Sequence, residues 1–200
     1  GGHFKVQLYK SDNPGVIIET DENLIQHINI EVKDNRLVIN SNNTLRPSKE
    51  LLIEVYYSEI TGIQSSGASS IEHNEPLNSD ELKVDLSGAG AIKLNLDVNE
   101  LSLNLSGAGL VELKGRVRSE VVSLSGAGSL EAKDLESTYC EIHISGVGNA
   151  EVYVIRELNA NISGMGNIEY YGDPAEIVQN VSGLGKIQRG DESKRRRRDL

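Results

Sequence analysis

The sequence predicts an all-β chain wound as a right-handed parallel β-helix, with coils of about 19 residues. Three observations carry that reading. A Ser-Gly-x-Gly tetrapeptide recurs at Ser87, Ser106, Ser125, Ser145, Ser163 and Ser182, preceded by the degenerate Ser66-Gly67-Ala68-Ser69, and the serine-to-serine steps are 21, 19, 19, 20, 18 and 19 residues. Between the tetrapeptides apolar and polar residues alternate, as in Leu101, Leu103, Leu105 and Ile142, Ile144, which is the period of a half-buried strand. No window carries a helical stripe, and two glycines per repeat at fixed offsets mark places where the chain turns sharply or passes close to its neighbour. The Leu-x-x-Leu-x-Leu-x-x-Asn consensus of leucine-rich repeats, whose length is similar, is absent.

With each serine as position zero, the columns of the stack sort into inside and outside. Position minus one (Leu86, Leu105, Leu124, Ile144, Ile162, Val181) and plus five (Ile71, Ile92, Val111, Leu130, Ala150, Ile168, Ile187) read as core. Plus two (Ala89, Ala108, Ala127, Val147, Met165, Leu184) grows toward the C-terminus, which predicts a core that widens there. Position minus two (Asp85, Asn104, Ser123, His143, Asn161, Asn180) is polar, and its amides are placed to hydrogen-bond up the stack as a ladder. Plus six holds Glu72, Lys93, Glu112, Glu131, Glu151, Glu169 and Gln188. Four successive glutamates one strand apart repel, so alternating rotamers, a bound cation or a basic partner must offset them, unless salt and solvent suffice.

Ahead of the repeats, Phe4–Leu8, Val16–Glu19, Ile28–Val32, Arg36–Ile39 and Leu51–Val55 read as strands separated by turn signals such as Asp12-Asn13-Pro14-Gly15. Residues 1–65 are therefore expected to form opening coils and to cap the N-terminal edge, with Asn40 to Glu50 as a protruding loop. Residues 66–190 form the regular coils and 191–200 a disordered basic tail, all within one structural domain.

Composition narrows the function. The net charge of −10 conceals a basic tail; without residues 191–200 the body carries 15 basic against 27 acidic residues, a surface that repels nucleic acid and anionic lipid. A single cysteine, Cys140, rules out an intramolecular disulfide framework, and strand geometry turns it away from His143, so it reads as a buried thiol. There is neither a signal peptide nor an 18-residue apolar span, which predicts a soluble chain as given; Gly1-Gly2 reads as the scar of a processed or engineered start, which is compatible with removal of a secretion signal, so composition alone leaves export open.

The segment Thr20-Asp21-Glu22-Asn23-Leu24-Ile25, then Ile30-Glu31-Val32, Arg36-Leu37-Val38-Ile39, Ile60-Thr61-Gly62-Ile63 and the Ser-Gly-Ala-Gly coils, resembles the putative auto-transporter adhesin, head GIN domain family. The resemblance spans Phe4 to Gly190. It implies a parallel β-helix in an exported protein, often lipid-anchored, of Gram-negative Bacteroidetes, located in the periplasm, outer membrane or cell surface, and it supplies no catalytic residues.

Three functions compete: a non-catalytic binding module for glycans or proteins, a structural spacer that oligomerises through its end coils, and a polysaccharide-active enzyme. Glycosidases need two converging carboxylates, whereas the glutamates here form a regular row. The basic trio Lys114, Arg116 and Arg118, the nearest thing to a departure from the repeat among the coils, straddles Gly115 and reads as a solvated corner. The binding reading places the site at Glu112, Glu131, Glu151 and Glu169, with Tyr170 and Tyr171 at the C-terminal end to stack on sugar rings and Ca²⁺ as the one conceivable ion. No cofactor is expected.

Overall fold

The computed structural model describes residues 4–41, 48 and 50–195 and is a parallel β-solenoid of about seven turns. The leading segment gives β1 (Lys5–Lys10), β2 (Gly15–Glu19), a helical turn α1 (Glu22–Ile25), β3 (Ile28–Lys33), β4 (Arg36–Ser41), β5 (Leu52–Tyr57) and β6 (Gly62–Ser65). The regular coils follow as β7 (Ser70–Leu86), β8 (Ala91–Leu105), β9 (Leu110–Leu124), β10 (Ser129–Ile144) and β11 (Asn149–Ile162). The chain closes with β12 (Asn167–Tyr171), β13 (Glu176–Val181), β14 (Lys186–Arg189) and the turn α2 (Glu192–Arg195).

Adjacent coils pair in parallel from β7 to β12, in the order β14-β12-β11-β10-β9-β8-β7-β1-β5-β2. β1 continues the stack by inserting between β7 and β5, although it comes first in the chain. β2 then pairs antiparallel on β5, and β3 and β4 form a separate hairpin. From that hairpin Ile28, Leu37 and Ile39 pack against the core while half-buried. Most of the segment expected to form a protruding loop, residues 42–47 and 49, lies outside the described residues. Ser48 is held by Asp21, whose carboxylate accepts from its amide and its hydroxyl, each at 2.7 Å.

The minus-one and plus-five columns form the core: Leu86, Leu105, Leu124, Ile144 and Ile162, with Ile92, Val111, Leu130, Ala150 and Ile168, are all buried. In the last coil Val181 is exposed and Ile187 half-buried. The plus-two column is a correction. Ala89, Ala108 and Ala127 are exposed, as are Val147, Met165 and Leu184, so the residues that grow toward the C-terminus stand on the outside. The reason lies in the flanking glycines: a Cβ on Gly107 would enter the carbonyl of Gly88, and one on Gly126 the carbonyl of Gly107. The two glycines press the backbone onto the coil beneath, and the residue between them points away from it. Its amide completes the contact, Ala108 N donating to Gly88 O at 3.1 Å and Ala127 N to Gly107 O at 3.1 Å.

The unequal repeat lengths are absorbed elsewhere. Register shifts fall between His73 and Pro76, between Glu131 and Asp134, and between Ala132 and Glu136, at one corner well past the tetrapeptide, and a further shift follows between Ser137 and Tyr139. At the bulge in the longest repeat, buried His73 lies 2.6 Å by Nδ1 from Glu75 O and 2.6 Å by Nε2 from the Tyr57 hydroxyl. With Nδ1 protonated, the ring donates to the carbonyl and accepts from the phenol, so the bulged residues stay hydrogen-bonded.

The tail departs from expectation in its first half. Residues 192–195 form α2, because the Glu192 carboxylate accepts from Gly172 N at 3.0 Å and draws the chain back over the stack. Residues 196–200 lie outside the described residues.

Candidate functional site: a carboxylate row along the solenoid

A residue that occupies the same position in every coil is repeated every strand spacing, about 4.8 Å, so a polar outward column becomes a row along the axis. The plus-six residues form such a row in unbroken register: Glu72 beside Lys93, then Glu112, Glu131, Glu151, Glu169 and Gln188. The register carries it further than the repeats do. Gln7 pairs with Glu72 on one side and Glu54 on the other, so the row spans nine strands.

Its repulsion is relieved from within. Lys93 Nζ lies 2.9 Å from Glu112 Oε2, and Lys133 Nζ lies 3.1 Å from Glu151 Oε2. Lys5 reaches Glu72 at 3.8 Å and Glu50 at 3.9 Å. The Lys93 ammonium is held above its usual range, first by its hydrogen bond to Glu112, then by the charges of Glu112, Glu72 and Glu131. The Lys133 side chain is only 10% exposed; the Glu151 oxygen it faces is sealed from water and has no aligned hydrogen bond, so the pair is held by charge. Among the described residues no three acidic, histidine or cysteine side chains converge to hold a metal ion.

Of the two tyrosines at the C-terminal end, Tyr170 is partly covered and Tyr171 is withdrawn from solvent. Tyr170 is half-buried and packs against the core. Tyr171 is 1% exposed, because Gly190, whose amide donates to Tyr170 O at 2.8 Å, lies across its ring. Burial, then the charges of Glu151, Glu169, Glu192 and Asp191, push the Tyr171 phenol up to about 12.

The accessible aromatic pair sits at the other end. Tyr9 and Tyr56 are register partners whose rings stack with centroids 5.3 Å apart and 22° between planes, and Tyr9 is 36% exposed. Their hydroxyls donate back into the row, Tyr9 to Gln7 Oε1 at 2.7 Å and Tyr56 to Glu54 Oε2 at 3.2 Å. The signal was present as Gln7-Leu8-Tyr9 and Glu54-Val55-Tyr56, two polar-apolar-Tyr triplets, but only the strand pairing shows that they align.

The polar and basic columns fall elsewhere. Asn104 Nδ2 donates to Asp85 Oδ1 at 2.9 Å, one rung of a ladder, while Asn161 turns sideways to Asn159 Oδ1 at 3.0 Å. Arg116 and Arg118 pair with Asp97 and Glu100 of the coil below, at 2.9 and 3.2 Å.

Comparison with known proteins gives the lineage. The profile of the family described as "Putative auto-transporter adhesin, head GIN domain" matches residues 1–174. The chain belongs to this family. Among solved structures, a putative adhesin from Bacteroides fragilis superposes with a TM-score of 0.89 at 23% identity, covering 95% of this chain and 89% of its own. A protein from Parabacteroides distasonis described as a putative lipid binding protein superposes at 0.77 with 25% identity, covering 96% and 90%. A putative adhesin from the same organism gives 0.75 at 23% identity, covering 94% and 90%. No curated protein matches the chain.

Proposed function

We propose that the protein is a non-catalytic, exported binding module of adhesin type whose ligand is an extended glycan lying along the carboxylate row. The observation that supports this most directly is the row itself: hydrogen-bonding side chains at one position per coil from Glu54 to Gln188, with the Tyr9–Tyr56 stack at its N-terminal end. A repeating polymer presents hydroxyls at intervals, and carboxylates accept from hydroxyls. The tyrosine faces offer the apolar side of a sugar ring a place to stack. Membership of an adhesin family supports export to the periplasm or cell surface. A regular row also argues against hydrolysis, since catalysis requires two carboxyl groups in unlike environments rather than many in like ones.

The test is binding to a panel of bacterial and host glycans, with and without Ca²⁺, with released sugar assayed in the same samples. Binding without release, weakened by Tyr9→Ala and by Glu112→Gln, is the expected result. Cleavage would make the protein an enzyme, and silence across the panel would leave a structural or protein-binding role.

A further inference from the structure

The interior of the regular coils is apolar except at one step. From β8 to β12 the buried polar residues, among those described, are Glu120, Lys133 and Ser137, and all three belong to β9 and β10. Lys133 is paired with Glu151 at 3.1 Å. The other two, with Cys140, interrupt columns that otherwise hold hydrocarbon: Leu101, Glu120, Cys140 and Leu158 are successive register partners, and so are Val98, Val117, Ser137 and Val154.

Glu120 is 1% exposed, and the elements around it offer no countercharge. β8 turns only apolar side chains inward, among them Val98, Leu101 and Leu103, and β9 itself flanks the carboxylate with Val117 and Val122. β10 presents the Cys140 thiol and the Ser137 hydroxyl, but that hydroxyl is directed to Tyr153 O, and neither Glu120 oxygen has a hydrogen-bond partner. The next carboxylate along β10, Glu141, is exposed, and its charge only adds to the resistance of Cys140 to ionise. A carboxylate so placed is stable in two ways, by keeping its proton or by admitting water. Burial accordingly raises its pKa to about 7, with Cys140 and Ser137 offsetting the rise only in part.

The same step is irregular in its ladder. β9 and β10 lose register between Glu131 and Asp134, and β10 and β11 lose it between Ala132 and Glu136 and again between Ser137 and Tyr139, next to Cys140. Gly115, five residues before Glu120, holds a φ of +107°. Bulged residues stand outside the ladder, so this step has fewer hydrogen bonds to break than the unbroken pairing of β8 with β9. Because each coil of a solenoid is held by its immediate neighbours, one step can open without unfolding the rest.

We propose that the β9–β10 step is a proton-controlled latch, closed while Glu120 keeps its proton and opening locally, with Cys140 uncovered, when Glu120 gives the proton up. The latch lies in the interior and does not depend on the glycan reading of the outer row.

Cys140, the one cysteine of the chain, reports the opening. Its rate of labelling by a small disulfide reagent is measured in wild type and in Glu120→Gln, since the ratio of the two cancels the pH dependence of the thiol itself. Opening returns Glu120 from about 7 to 4.5, so the ratio should rise about tenfold from pH 6 to pH 8 and level off above that. Glu120→Leu, which restores the usual residue of the column, serves as a second reference. Hydrogen exchange read by mass spectrometry locates the event: amides of β9 and β10 around Glu120 and Cys140 should lose protection over the same pH range, while those of β7 and β12 keep theirs. A ratio independent of pH, a Cys140 that labels at neither pH, or protection lost evenly from β7 to β12 would each overturn the proposal.

Discussion

The Glu120 carboxylate and the Cys140 thiol are register partners inside the solenoid, and neither carboxylate oxygen has a hydrogen-bond partner. The column to which they belong otherwise holds Leu82, Leu101 and Leu158, all buried, and Ile177, which is exposed in the last coil. Ser137, also buried in the core, directs its hydroxyl to Tyr153 O at 2.9 Å instead. Burial pushes the Glu120 carboxyl up from 4.5 to about 7, and pushes the Cys140 thiol up as well.

The sign of the resulting pH dependence follows from proton uptake. Glu120 binds its proton more tightly in the folded chain, so its contribution to stability is complete below about pH 4.5 and is lost as pH rises through 7. Glu120→Gln, which imitates the neutral acid, should be more stable than wild type at pH 8, on the order of a few kcal/mol, and nearly equal to it at pH 4. Urea unfolding of both proteins at the two pH values measures the difference; parallel behaviour would mean that water reaches the carboxylate.

Lys133 and Glu151 give the opposite lesson. Removing the cation alone, by Lys133→Leu, leaves a sealed carboxylate oxygen without its countercharge and should cost about 2 to 4 kcal/mol. The double variant Lys133→Leu with Glu151→Gln should recover most of the loss, and a double-mutant cycle by urea unfolding reads the coupling.

Gly107 and Ala108 are neighbours with opposite tolerance. Gly107→Ala drives a methyl group into the Gly88 backbone and should destabilise by about 3 kcal/mol or more, whereas the exposed Ala108→Ser should change stability by less than about 0.5 kcal/mol. Thermal unfolding distinguishes them.

Tyr171 should hold its phenolic proton until about pH 12. Because its folded form holds the proton more tightly, the stability it contributes is intact below pH 10 and lost between 10 and 12. Ultraviolet absorbance titration of wild type and Tyr171→Phe should differ by one late-titrating group.

The parallel coils were legible because the repeat enforces its own evidence: each core column is read several times over, so Leu105 and Leu124 vouch for Ile144. The outward turn of the plus-two column was not legible, since alternation is a rule of strands and the glycine corner is not one. The row of glutamates was visible, but its neutralisation was not, because Lys133 comes from a different position in the repeat and meets Glu151 only across a bulge. Tyr171 was misread as exposed for a related reason: Gly190, which covers it, lies 19 residues along the chain. The alignment of Tyr9 with Tyr56 depends on β1 inserting between β7 and β5, a choice made by tertiary packing alone.

The two corners of each coil divide the work of measuring length. At the glycine corner backbone lies on backbone with no room for a methyl group, while the bulged corner at His73, Glu131 and Ala132 takes up one to three residues. One corner acts as a metre and the other as slack. A lineage built on this plan can lengthen its solenoid only by inserting whole coils, and can diversify any one coil by editing its slack corner, leaving the spacing of every surface feature along the axis unchanged.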